Sequence, residues 1–131
     1  MQLQWQKEVK KRMEPGTPAT GPTIARIWRG RTARHLADDY EHYNFHEGIE
    51  PLIEKAMGVQ TFRIDRTEET EFVTISYWED EASMARFTGG DPTAIHHLDR
   101  DAEFLLELPD RVEVLNLRFS HGQLGAQEPL G

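Results

Sequence analysis

The sequence predicts an α+β domain of ferredoxin-like order, β-α-β-β-α-β, with a four-stranded antiparallel sheet between about Thr23 and Phe119. Three observations carry the prediction. Strand-like and helix-like segments alternate in that order. The stretch Thr70 to Asp80 is a long apolar strand followed at once by a helix cap. Apolar residues also occupy both faces of the strands, so the sheet needs cover on both sides.

A chain of 131 residues, 37% hydrophobic and 29% charged, fits one soluble globular domain with a modest core. Asp and Glu outnumber Lys and Arg 23 to 15 and leave a formal charge of −8, which argues against non-specific nucleic-acid binding. The one compact basic run, Lys7 to Arg12, is short. Without cysteine there is no disulfide frame, thiolate metal site or thiol nucleophile, in keeping with a reducing compartment. No window approaches the roughly 20 apolar residues that span a bilayer, and Lys7, Glu8, Lys10 and Lys11 stand where a signal peptide needs an apolar core. The expected setting is the cytoplasm, with no membrane and no nucleic acid as partner.

Residues 1–22 read as an N-terminal arm and linker. Leu3, Trp5, Val9 and Met13 give a weak helical pattern, and the Pro- and Gly-rich stretch from Pro15 to Pro22 breaks regular structure. The arm is either a solvated extension or a segment whose Trp5 and Val9 dock on a partner subunit. Ile24, Ala25, Ile27 and Trp28 then form a short strand that is apolar on both faces except at Arg26. Thr32 is placed to cap a helix with Leu36, Tyr40 and Tyr43 on its apolar stripe, ended by Gly48 and Pro51.

Val59 to Arg66 alternates with Phe62 and Ile64 on one side, and Thr67 to Thr70 turns the chain into the strand Phe72 to Trp78. Asp80 caps a short helix through Phe87. Asp91 and Pro92 restart it, with proline at the first helical position, where its missing N–H costs nothing. The last strand is Val112 to Phe119, and the Gly-rich tail, residues 120–131, reads as irregular.

Two helices cover one face of such a sheet and leave the other wet. Because Val73, Ile75 and Tyr77 oppose Phe72 and Trp78, the uncovered face is an apolar patch, and a second copy of the chain about a two-fold axis removes it. A cavity is then expected between each sheet and its own helices, lined by Trp28, Tyr40, Tyr43, Tyr77, Trp78 and Phe87 and suited to a small hydrophobic molecule.

Several polar residues compete for a role. His96 and His97, expected near the end of the second helix, carry imidazoles suited to a general base or an oxyanion donor. Neighbouring helix positions point about 100° apart, so one cavity takes only one of them. His35, Asp39, His42 and His46 share a stripe that faces away from Leu36, Tyr40 and Tyr43, so it reads as a solvated shoulder and no metal site is assigned. His46 is the member closest to a cavity mouth. Arg26, on an apolar strand, needs an anion or an ion pair, and Trp28 shares its face. No Ser-His-Asp signature, phosphate loop or dinucleotide fingerprint is present.

From Thr23 to Leu117 the chain resembles the antibiotic biosynthesis monooxygenase family of dimeric α/β barrels. The resemblance rests on residues 24–30 of the first strand, Tyr40 to Tyr43 with Gly48, the string Thr70 to Asp80, Arg86 to Pro92, and Phe104 to Leu108. It implies a homodimeric barrel and a cofactor-independent monooxygenase acting on an aromatic or polyketide-like molecule. His97 is then the base, with Tyr43 as its catalytic partner and Trp78 orienting the ring. Trp28, Arg26, Tyr40, His46, Phe87 and His96 complete the expected binding site. The same resemblance implies an alternative, haem binding or degradation, because haem-degrading members carry a ligand histidine ten residues after an aromatic one, as His97 follows Phe87. Those members place asparagine on the first strand, where this chain has Arg26 and Trp28. An isomerase or a ligand-binding module of this fold is a further alternative, since the fold alone does not settle function.

Overall fold

A computed structural model describes residues 21–126. The expected arm, with Trp5 and Val9, lies outside the described residues apart from its last two positions, and so do the last five residues of the tail. Four antiparallel strands, β1 (Ile24–Ala33), β2 (Gly58–Asp65), β3 (Glu69–Trp78) and β4 (Glu113–Asn116), lie in the order β2-β3-β1-β4. This is the ferredoxin-like order the sequence predicts. The helical layer comprises α1 (Ala37–Asn44), α2 (Glu50–Lys55), α3 (Glu81–Thr88) and the single turn α4 (Asp101–Phe104). No described helix is long and apolar enough to cross a membrane.

β1 is longer than its apolar residues suggest. It pairs with β3 from Ile24 opposite Trp78 to Ala33 opposite Glu69. That ladder absorbs Thr32, which is fully buried in the strand and does not cap a helix. The helical region opens instead with a 3-10 turn, Arg34–Leu36, without a side-chain cap. β4 is shorter than expected and pairs only with Ile24 to Ile27; one last bond joins Leu117 N–H to the Thr23 carbonyl, and Pro22 precedes it.

Gly48 and Pro51 do not end the first helix. The chain widens into a π turn, Phe45–Ile49, and resumes as α2 with Pro51 in its first turn. Proline donates no backbone hydrogen bond and crowds the carbonyl four residues earlier, and widening the preceding turn accommodates both.

α3 starts as the sequence predicts, with the Asp80 carboxylate accepting from Ser83 N–H at 2.8 Å, and it ends at Gly89 in the left-handed region (φ 84°). No helix restarts at Asp91. Asp91 and Pro92 begin one turn, after which the chain runs irregularly to α4. A helix here would join Leu98 N–H to the Ala94 carbonyl. Instead Arg26 Nη2 donates to that carbonyl at 2.8 Å, and Leu98 N–H donates to Asp101 Oδ2 at 3.0 Å. His96 and His97 therefore sit on an irregular segment.

Strand parity divides the sheet. Phe72, Thr74, Ser76 and Trp78 of β3 face the helices and are buried. Val73, Ile75 and Tyr77 face the other way, beside Ala25 and Ile27 of β1. On that open side Phe62, Ile64 and Leu115 are each about half exposed. Beneath the helices the core has two centres. Ile24, Ile49, Leu52, Trp78 and Met84 form one, and Ala37, Tyr40, Phe72, Phe104 and Leu105 the other.

Candidate functional site

The two core centres do not close on each other. Between them, on the helix-facing side of the sheet, is a hollow of about 210 Å³. The sheet contributes Arg26 and Trp28 of β1, paired across the ladder with Ser76 and Thr74 of β3. The first helical stretch contributes Tyr40, Asn44, and Glu47 to Ile49 of the π turn. Pro51 and Leu52 of α2, with Phe87, Ile95, His96, Leu98 and Asp101, complete the lining.

Two glycines shape it. A Cβ on Gly30 would collide with the six-membered ring of the Trp28 indole, so the bare Cα lets that ring lie along the strand. Trp28 in turn stacks on Tyr40, with centroids 6.5 Å apart and planes at 23°. A Cβ on Gly48 would come within 2.8 Å of Asn44 Oδ1 and 3.2 Å of Leu98 Cδ1, so glycine allows the π turn to approach the irregular segment.

Three polar features interrupt the apolar lining. Arg26 is 8% exposed; beyond its bond to the Ala94 carbonyl its Nε is buried without an acceptor, and among the described residues no carboxylate pairs with it. The ion pair expected for Arg26 is thus absent from the described residues. Burial holds its pKa below the ordinary arginine value, but guanidinium remains charged in proteins. Asp101 is 3% exposed and accepts twice, from the Tyr40 hydroxyl at 3.2 Å and from Leu98 N–H. Burial first, and then the Asp101 charge, pushes the Tyr40 hydroxyl well above the ordinary tyrosine range, so it stays a donor. His96 places Nε2 3.0 Å from the Thr88 carbonyl. A carbonyl only accepts, so Nε2 carries the proton and Nδ1 is the basic nitrogen of the neutral ring.

Of the residues expected from sequence, Arg26, Trp28, Tyr40, Phe87 and His96 line this hollow together. His97, Tyr43, His46 and Trp78 do not. His97 is exposed and outside the lining. Tyr43 stacks on Phe104 at 5.6 Å, and its hydroxyl accepts from Arg100 N–H at 2.8 Å. His46 faces solvent, within 3.1 Å of Glu50 and stacked edge-on against His42. Trp78 is core, packed on Phe87 and donating from Nε1 to Ser76 Oγ at 2.9 Å. Asp101 escapes sequence reasoning because Asp99, Asp101 and Glu103 look alike in one acidic stretch, and only the fold turns the middle one inward.

Among the described residues no group of three or more His, Asp or Glu is arranged to hold a metal ion. The volume of the hollow lies below the roughly 300–1,000 Å³ of sites for drug-sized ligands, and His97, which the resemblance offered as iron ligand, is outside its lining.

No protein-family model matches the chain, and no curated protein matches it. Among solved structures, a Bacillus cereus protein provisionally named an antibiotic biosynthesis monooxygenase superposes with a TM-score of 0.55 at 13% identity. The match covers 79% of this chain and 100% of that one. A protein of unknown function from Nitrosomonas europaea gives a TM-score of 0.47 at 19% identity, over 84% of this chain and 97% of its own. The Bacillus cereus likeness shows that this chain has that fold; at such identity it shows the fold alone.

Proposed function

We propose that the protein is a homodimeric, cofactor-independent monooxygenase that oxidises a small phenol or enol in the hollow between sheet and helices. The observation that carries the reading is the composition of that hollow: aromatic walls from Trp28, Tyr40 and Phe87, with one imidazole and one buried cation. The resemblance and the shared fold with a protein so named point the same way. The apolar open side of the sheet supports the dimer.

Both histidines are exposed, and in this reading His96, which borders the hollow, and not His97, which lies outside its lining, takes the proton. Thr88 holds its tautomer, leaving Nδ1 as the acceptor. Arg26 supplies the buried positive charge that favours an anionic guest. The carbanion form of the substrate gives one electron to oxygen, the radical pair recombines at carbon, and the resulting hydroperoxide loses water. The balance is a ring CH2 plus O2 giving C=O plus H2O. Tyr40, tied to Asp101, keeps its ring fixed as a wall. The volume suits one or two rings better than a polycyclic polyketide.

Oxygen uptake with 1-naphthol and with anthrone, in the presence of a chelator, tests the reading. The expected result is uptake with the smaller substrate and a fall in kcat of roughly 100-fold or more in His96→Ala, the usual worth of a general base. Uptake that the variant leaves unchanged contradicts the role of His96. No uptake with any small phenol contradicts the oxygenase reading.

A further inference from the structure

Resting on the reading of this hollow as the substrate site, the geometry points to a substrate that carries its own negative charge: we infer that the guest is a one- or two-ring aromatic carboxylate, with the carboxylate held by Arg26. A guanidinium has five N–H donors. Here one bond goes to the Ala94 carbonyl, Nε is buried with no acceptor, and no described carboxylate is paired with the group. The nearby acid, Asp101, is engaged by Tyr40 and Leu98. Arg26 is thus a cation of the lining with no described carboxylate within ion-pair distance, although Glu47 and Asp101 also border the hollow and the protein's formal net charge is −8.

A buried charge without a partner is costly, and native structures keep one where a ligand completes it. The planar fork with donors unspent matches a two-oxygen acceptor better than a single hydroxyl. Trp28, Phe87 and Ile95 give the aromatic body its apolar surroundings.

The inference is read by binding, which needs no oxygen. Titration calorimetry compares 2-naphthoate, 2-naphthamide and 2-naphthol on the full chain. The acid is expected to bind the wild type roughly 10- to 100-fold more tightly than the amide, the worth of hydrogen bonds to a charged group. Arg26→Met is expected to abolish that preference, and Arg26→Lys to keep part of it. The wild-type comparison stands even if a variant does not fold. Equal affinity for acid and amide, binding of neither, or an acid preference that survives Arg26→Met overturns the inference. Preference for naphthol over naphthoate overturns it too and assigns Arg26 to the phenolate instead. Oxygen uptake with naphthol and no acid preference leaves the oxygenase reading standing alone. An acid preference without oxygen uptake by any hydroxylated acid does the reverse.

Discussion

Arg26→Met is expected to make the ligand-free protein more stable, although the residue is the centre of its binding site. The substitution keeps an unbranched chain of similar reach and removes a charge that is 8% exposed and unpaired among the described residues. Replacing buried ionic groups by apolar residues of similar volume stabilises by about 1–4 kcal/mol in measured cases. Against this stands the bond from Nη2 to the Ala94 carbonyl, worth about 0.5–1.5 kcal/mol. The net expectation is about 1.5 kcal/mol in favour of the variant. For a domain of about 100 residues, that raises the melting temperature by roughly 6 °C. Differential scanning calorimetry without ligand measures it, with Arg26→Lys as the control that keeps the charge and shows no such gain. Adding 2-naphthoate then raises the melting temperature of the wild type and not of the variant. A ligand-free variant that melts several degrees below the wild type refutes the reasoning, because the anchor to Ala94 would then outweigh the relief of the charge.

Three more outcomes follow from the same geometry. Gly30→Ala pushes the Trp28 ring off the strand, and calorimetric binding of naphthoate weakens at least tenfold while far-UV circular dichroism is kept; unchanged affinity would remove Trp28 as a wall. Tyr40→Phe leaves the Asp101 carboxylate with only Leu98 N–H and costs about 1–3 kcal/mol in urea unfolding, and a cost near zero would show that water replaces the hydroxyl. Ile75→Asp, at the centre of the open side of the sheet, turns a dimer into a monomer in light scattering after gel filtration; a wild type with the mass of one chain contradicts the proposed dimer.

How far the sequence shows these features depends on whether neighbours along the chain or distant ones decide the local structure. β3 is legible because alternation is its own signal: Phe72, Thr74, Ser76 and Trp78 turn inward while Val73, Ile75 and Tyr77 turn outward. The stripe Leu36, Tyr40 and Tyr43 is legible for the same reason at helical spacing, and all three pack in one core centre. The Asp80 cap needs only Ser83, three residues on.

Residues 91–98 mislead because their fate is decided 68 positions away, where Arg26 takes the carbonyl a helix would need. With that segment irregular, His97 leaves the site and His96 stays in it. Thr32 misleads in the same way, since the pairing partner that holds it in β1 is Thr70. The burial of Arg26 is foreseeable from its apolar neighbours, but its lack of a carboxylate is a fact about every other chain segment that passes near it.

A crystal structure of the 2-naphthoate complex tests most directly whether a small aromatic molecule resides in the hollow between sheet and helices. The expected density lies between Trp28 and Phe87 with its carboxylate on Arg26. Density on the open side of the sheet, or in the adjoining hollow of about 390 Å³ beside β2 and Leu124, which shares Asn44, Ile49 and Thr74 with this one, would contradict that placement.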